Sequence, residues 1–213
     1  MATLAAVISI AVGDGGPEAP TTEGFNDVQQ LFAGVPQEGA SLGADDAPVL
    51  MTVYNDLRCL SCAGYQVEEI DLVIERHVRA DDVRFDFSHF SLGPEEVSLA
   101  ALAATAAGEQ GRQWQYIDLL MRNLEPAGEA DDDFLTDVAK AVPELGDQEA
   151  LAAWEADRTS DEVRAIVDAD AAEAVERRLS PEPAVVVSGP GGERTLEGAP
   201  TSEEIEAAIA AIS

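Results

Sequence analysis

Positive charge is nearly missing from this sequence: 12 Lys and Arg stand against 42 Asp and Glu, a formal net charge of −30 over 213 residues. Lys140 is its one lysine, and no basic residue precedes Arg58. Such a balance argues against duplex DNA or RNA as a partner, because nucleic-acid binders gather positive charge on a face or groove. Aromatic residues are scarce at 5%, yet the hydrophobic fraction is 46%, enough at this length to bury a core and to argue against global disorder. Two readings fit the lysine-poor acidic surface: adaptation to high salt, where carboxylates keep a protein hydrated and mutually repelled, and codon bias in a GC-rich genome. Neither identifies an activity.

Long apolar runs are missing as well. Met1 to Gly13 is apolar but too short to cross a bilayer, which takes roughly 20 residues. The run fits the h-region of an export signal or the end of an anchor, although the positive n-region of a signal is lacking. The given start is read as clipped or misassigned, and the chain as exported, with a membrane tether an open option. Asp14 to Thr22, rich in Gly, Pro and acids, reads as a flexible spacer. Residues 1–40 are expected to form this apolar remnant and spacer, with a short helix over Asn26 to Phe32, and the main domain to run from 41 to 213.

What is present organises into periodic segments. Val49 to Tyr54 is a short apolar, β-branched run between Pro48 and Asp56, which predicts a buried strand. Val67, Ile70, Ile74 and Val78 recur at helical spacing, so a helix is expected from about Cys59 to Arg79, and the alternation of Val83, Phe85 and Phe87 predicts a second strand to Phe90. The stretch from Pro94 carries helical stripes only: the Ala-rich segment to Ala107, then Trp114, Ile117, Met121 and Leu124, then Phe134, Val138 and Val142. Thr159 with Glu162 suggests a capping box for a helix whose Val163, Ile166, Val167, Ala171 and Val175 face inward. A hairpin around Gly189 to Gly192 and a last helix capped by Thr201 and Glu204 complete the order β-α-β, helical insertion, α-β-β-α.

The chain has two cysteines, and both fall where the first strand gives way to its helix, as Cys59-Leu60-Ser61-Cys62. Unpaired amide N–H groups and the positive dipole end of a helix stabilise a thiolate at that point. The spacing also brings the second sulfur one turn away, close enough to close a disulfide or resolve a mixed one. A purely structural disulfide is an alternative, though so short a loop gains little chain-entropy stabilisation. Zinc is another, but a site takes about four ligands and only His77 and His89 accompany the cysteines and carboxylates. Both histidines otherwise read as structural, Trp114 and Tyr116 as core or rim residues of the insertion, and Asp131 to Asp133 as a helix start without the rest of a calcium loop.

At this junction the chain resembles the DsbA-like thiol-disulfide oxidoreductases of the thioredoxin fold, particularly envelope-facing bacterial members. The resemblance runs through Leu31-Phe-Ala-Gly-Val-Pro-Gln, Leu42 to Val49, Asp56-Leu-Arg-Cys-Leu-Ser-Cys62, Gln113 to Leu120, Pro183-Ala-Val-Val-Val and Leu196-Glu-Gly198. It implies an α/β thioredoxin fold with a helical subdomain inserted at about 94–157. It makes Cys59 the exposed nucleophile, Cys62 the buried partner and Pro183 a cis-proline beside the disulfide, with the backbone of Glu182 facing a bound polypeptide together with Leu60 and Ser61. Read from the residues alone, Pro181-Glu-Pro183 is also compatible with a simple helix stop before a strand, the lesser of the two readings.

Two positions depart from the family pattern. Leu60 and Ser61 stand where relatives commonly have proline after the first cysteine and often an aromatic residue or histidine before the second; this dipeptide tunes reduction potential over about −270 to −120 mV. Ser61 as hydrogen-bond donor and Arg58 as a positive charge favour the thiolate, whereas Glu182, where relatives often carry a small hydroxyl or β-branched residue, opposes it. The expectation is an extracytoplasmic enzyme needing neither metal nor organic cofactor, acting on cysteine-containing polypeptides and reset by a redox partner. The competing expectation is a catalytically idle thioredoxin-like module that holds polypeptides.

Overall fold

The computed structural model describes residues 23–90, 98–124, 130–180 and 183–213. Expectations for residues 1–22, for Pro94 and for Glu182 lie outside the described residues. A six-stranded mixed sheet forms the centre, in the order β1 (Gln37–Glu38), β2 (Ser41–Leu42), β4 (Val83–His89), β3 (Val49–Asn55), β5 (Ala184–Gly189) and β6 (Gly192–Glu197). Strand β3 (Val49–Asn55) runs parallel to β4 (Val83–His89), in register from Val49 opposite Val83 to Asn55 opposite His89. On its other side β3 pairs antiparallel with β5 (Ala184–Gly189), which turns back into β6 (Gly192–Glu197). The expected hairpin and the βαβ unit are both there.

Apolar side chains on both faces of β3 explain its central place. Met51 and Val53 enter the main core, while Tyr54 joins Phe90, Ala174, Leu179, Ala184 and Val186 in a second, smaller one. A parallel pair needs such cover on both faces. The polypeptide between β3 and β4 is one rod over 60–78: α2 (Leu60–Tyr65), a π turn (Gln66–Ile70), α3 (Asp71–Val73) and a second π turn (Ile74–Val78). Ile70, Ile74 and Val78 are buried as the helical spacing requires.

The first π turn has a consequence for polar packing. In an α-helix residues five apart diverge, but the wider turn lets the Gln66 amide donate to Asp71 Oδ1 at 3.4 Å. Asp71 in turn pairs with Arg122 of α5 (Gln113–Arg122), whose Nε donates to Asp118 Oδ2 at 3.2 Å. Two buried carboxylates thus share one guanidinium between the rod and the inserted helices. Burial pushes the pKa of both acids up, with mutual repulsion adding to the effect at Asp71 and Arg122 opposing it.

The insertion is helical, as expected: α4 (Leu99–Glu109), α5, α6 (Asp132–Ala141) and α7 (Gln148–Asp157), followed by α8 (Asp161–Arg177). Helix α4 is buried nearly all round, which is what its run of alanines permits. Trp114 packs on Phe85 and Phe87 and donates its indole N–H to Ala40 O at 2.9 Å, and Tyr116 donates to Leu135 O at 3.0 Å, so both are core residues. Asp131 caps α6 by accepting the Phe134 N–H. Among the described residues no helix is long and apolar enough to cross a membrane.

Several expectations are corrected. Residues 23–40, expected outside the folded body, carry α1 (Phe25–Phe32), whose Val28 and Phe32 enter the main core, and β1 (Gln37–Glu38), which pairs with β2 (Ser41–Leu42). These strands are two residues long, too short for any period. Helix α8 is capped by Ser160, which accepts the Val163 N–H, while the Thr159 hydroxyl turns back to Ala156 O. Its buried residues are Val163, Val167 and Ala174, whereas Ile166 is 39% and Val175 72% exposed, because the neighbouring elements cover one narrow stripe. Helix α9 (Ser202–Ile212) begins with the expected capping box of Thr201 and Glu204.

Candidate functional site

The site grows from the end of β3. Asn55 is the last strand residue, Asp56 starts a tight turn in which its carbonyl accepts the Cys59 N–H at 3.1 Å, and Cys59 is the N-cap of α2 with extended backbone (φ −90°, ψ 110°). A residue in that position has a side chain directed at the unpaired amides of the first turn. Here the sulfur takes that part: Cys59 Sγ accepts the Cys62 N–H at 3.2 Å. Ser61 Oγ lies 3.2 Å from the same sulfur. A disulfide sulfur carries no hydrogen, so the hydroxyl is the donor.

Cys59 and Cys62 form a disulfide with Cα atoms 5.1 Å apart. Exposure differs sharply between them: Cys62 is fully buried, Cys59 is partly open to solvent and Leu60 is 46% exposed. A reagent or polypeptide arriving from solvent meets the Cys59 sulfur first. Arg58, expected as a bare positive charge beside it, is instead engaged by Asp56, with Nε to Oδ1 at 3.1 Å and Nη2 to Oδ2 at 3.0 Å. That contact was not anticipated, although an Asp two residues before another backbone N–H is a known turn pattern.

The remaining expected residues separate into near and far. Pro183 is buried, and its carbonyl accepts N–H groups from Gly198 and Ala199 at 3.1 and 3.2 Å. Since Tyr54 pairs with Ala184, the register puts Pro183 level with Asn55, at the cysteine end of the sheet. Glu182 is outside the described residues. His89 ends β4 beside Asn55, fully buried, with Nε2 2.9 Å from Thr105 Oγ1; burial lowers its pKa to about 4 against the opposing charge of Asp56, so it is neutral at ordinary pH. His77 is remote from the turn, on the last turn of the rod, 3.8 Å from Asp82. Among the described residues no group of three or more His, Cys, Asp or Glu could hold a metal ion.

A residue missed in sequence is Asn55, buried completely with neither side-chain oxygen nor nitrogen hydrogen-bonded among the described residues. A strand-terminal Asn in an apolar run gives no signal of its own. It lies in the same layer as Pro183 and His89, directly before the cysteine turn.

A central mixed sheet with a cysteine pair at the N-terminus of the helix after its middle strand, one sulfur open and one buried, defines a thioredoxin-fold redox protein with a helical insertion. A family model described as Thioredoxin matches residues 36–211, and the chain belongs to that family, among its DsbA-like thiol-disulfide oxidoreductases. It is 25% identical over 165 residues to a Bacillus cereus protein named "Probable disulfide bond formation protein D", covering 75% of this chain and 74% of the relative. Among solved structures it resembles oxidised BdbD from Bacillus subtilis, with a TM-score of 0.66, 20% identity, and 83% and 95% of the two chains covered. It also resembles MdbA, a thiol-disulfide oxidoreductase from Corynebacterium matruchotii, with a TM-score of 0.63, 17% identity, and coverages of 82% and 94%.

Proposed function

We propose that this protein inserts disulfides into cysteine-containing polypeptides outside the cytoplasm, with Cys59 as the attacked sulfur and Cys62 as the leaving one. The observation that carries the reading is the asymmetry of the pair: a partly exposed Cys59 capping α2 beside a fully buried Cys62. A substrate thiolate attacks Cys59 Sγ and breaks the Cys59–Cys62 bond; the electron pair leaves on Cys62, which takes up a proton. A second substrate thiolate then attacks the substrate sulfur of the mixed disulfide, releasing Cys59 as thiolate. The substrate loses two electrons and the enzyme gains them. A disulfide-bearing or otherwise oxidising partner must take these electrons back before the next cycle.

The direction follows from what meets the Cys59 sulfur. The Cys62 N–H and the Ser61 hydroxyl both favour a thiolate there, and stabilising the reduced form makes the oxidised form a stronger oxidant. On this reading Leu60, Ser61 and Pro183 meet an extended polypeptide that reaches Cys59. The apolar stretch Met1 to Gly13 supports export and, where retained, tethering to a membrane. An oxidising extracytoplasmic compartment is where such a disulfide persists.

The test is a titration of the purified protein against glutathione redox buffers, with thiols trapped and the mass read. A reversible two-electron transition with a midpoint of about −230 mV or higher is expected. A pair that stays oxidised in every buffer, or never forms, overturns the reading and leaves a polypeptide-binding module.

A further inference from the structure

The buried cluster of Asp71, Asp118 and Arg122 serves no step of disulfide exchange. It lies where three elements meet: Asp71 on the rod, Asp118 and Arg122 on α5, and the start of α1. The Asp118 side chain is fully buried, and those of Asp71 and Arg122 are 10% and 15% exposed. Arg122 donates through Nη2 to Asp71 Oδ2 and through Nε to Asp118 Oδ2, while Gln66 Nε2 donates to Asp71 Oδ1. Two buried acceptors, Asp118 Oδ1 and Gln66 Oε1, are left without a donor among the described residues. One guanidinium thus faces two carboxylates, and the fully ionised cluster is short of positive charge and of donors alike. Helix α1 closes the third side. The Glu23 N–H donates to Asn123 Oδ1 at 2.9 Å, a Cβ on Gly24 would strike Arg122 Cδ, and the charge of Asp27 acts on both Asp118 and Arg122.

A proton bound on either carboxyl group answers both shortages, since it cancels the excess charge and turns a bare acceptor into a donor. Burial raises the pKa of both acids, with the Asp118 charge adding to the effect at Asp71 and the Asp27 charge at Asp118, against the opposing guanidinium. A cavity of about 410 Å³, lined by Asp71 and Arg122 together with Asp27, Glu75 and Arg79, gives protons access. Arg79 is itself turned to the end of α1, donating to Leu31 O and Ala33 O at 2.9 and 3.2 Å. We propose that the cluster is a one-proton latch: with the proton bound it holds α5 and α1 against the rod, and losing the proton frees them while the sheet stays folded. A closed form that keeps a proton, facing an open form whose carboxylates ionise like any exposed Asp, opens more readily as pH rises above about 4. The rod begins at Leu60, so the latch makes the support behind the cysteine pair pH dependent, whatever chemistry that pair performs.

The test is amide hydrogen exchange of the full chain between pH 5 and pH 7, read by mass spectrometry as protection factors for peptides from α5, α1 and the strands β3 and β5. In the wild type α5 and α1 are expected to be less protected than the strands at each pH, and to lose protection by up to about tenfold per pH unit, the limit for one released proton. Asp118→Asn keeps an oxygen for Arg122 Nε, supplies an N–H and removes one buried charge, so its α5 protection is expected to be flat over the same interval. Asp71→Asn is expected to behave alike. Protection of α5 equal to that of the strands, a flat wild-type profile, or a slope that survives in both variants overturns the proposal. A second readout needs no variant: the infrared spectrum of the wild type at pH 7 is expected to carry the carbonyl band of a protonated carboxyl group, and a spectrum without that band overturns the latch as well.

Discussion

Ser61→Ala isolates one hydrogen bond at the reactive sulfur. The Ser61 hydroxyl lies 3.2 Å from Cys59 Sγ, and the sulfur keeps a second donor, the Cys62 N–H, also at 3.2 Å. In the oxidised protein the hydroxyl meets a weak neutral acceptor; in the reduced protein it meets a thiolate. Hydrogen bonds to charged groups contribute about 1.5–3 kcal/mol, and the partial exposure of this site argues for less, about 1 kcal/mol. The loss falls almost wholly on the reduced, ionised state. At 1.36 kcal/mol per pH unit it raises the midpoint of thiolate formation by about 0.7 units. With about 30 mV for each tenfold change in a two-electron equilibrium, the potential becomes more reducing by about 20 mV. Ultraviolet titration of the reduced protein reads the first quantity and glutathione equilibration the second. A midpoint and potential indistinguishable from wild type would refute the claim that the hydroxyl donates to the sulfur, and Ser61→Thr, which keeps a hydroxyl, is expected to restore most of the effect.

Cys62→Ser is expected to arrest exchange at the mixed disulfide, since the buried thiol can no longer displace a substrate from Cys59; intact mass after incubation with a small peptide dimerised through a disulfide, one half of which leaves as a thiol when Cys59 attacks, shows the trapped adduct, whereas Cys59→Ser shows none. Asp118→Asn is expected to flatten the pH dependence of stability. Asp71 and Asp118 hold protons more tightly folded than unfolded, so stability falls as pH rises above about 4, by at most about 1.4 kcal/mol per pH unit for each proton retained, and urea unfolding between mildly acidic and mildly alkaline pH reads the slope. His89→Gln acts on the opposite arm: the folded imidazole has its pKa lowered to about 4, so the wild type loses stability as pH falls from about 6.5 toward 4, on the order of 3 kcal/mol in all. The variant keeps a partner for Thr105 and is expected to lose less over that interval.

The order of elements was legible because the strands and helices that matter are long and strongly periodic. Val49–Asn55 and Val83–His89 show themselves by β-branched and alternating residues, and the rod over 60–78 by Ile70, Ile74 and Val78. The β1–β2 hairpin escaped notice because two-residue strands have no period and depend on pairing with β4 across 45 residues, Ser41 to Asp86. Helix α7 was missed for a related reason: its burial rests on a single Trp154, which donates to Ala103 O at 2.8 Å, and one large residue makes no stripe. The π turns could not be foreseen either, since the spacing of apolar residues is compatible with an ordinary helix, and only the meeting of Gln66 with Asp71 reveals the wider turn.

At the site, motif and composition carried different amounts of information. C-x-x-C after a buried strand points to the N-cap position of the first cysteine, whereas the partition of one open and one buried sulfur, which the structure shows, was implied by the family resemblance. The charge around the sulfur does not follow. With 42 acidic residues against 12 basic ones, composition suggests a strongly negative surrounding, and Arg58 read singly suggests a positive one. Pairing cancels both readings. Asp56 and Arg58 are two residues apart, a separation that places side chains on roughly opposite sides of a helix, and it is the turn after β3 that brings their charged groups together. What the Cys59 sulfur experiences is then set by short-range donors, the Cys62 N–H and the Ser61 hydroxyl, whose directions come from the first turn of α2. A net charge of −30 acts over the whole surface and is screened by salt, whereas these contacts at 3.2 Å are not. The short-range part of what the Cys59 sulfur experiences therefore comes from Ser61 and Cys62, in the first turn of α2, and does not follow from the overall acidity of the chain.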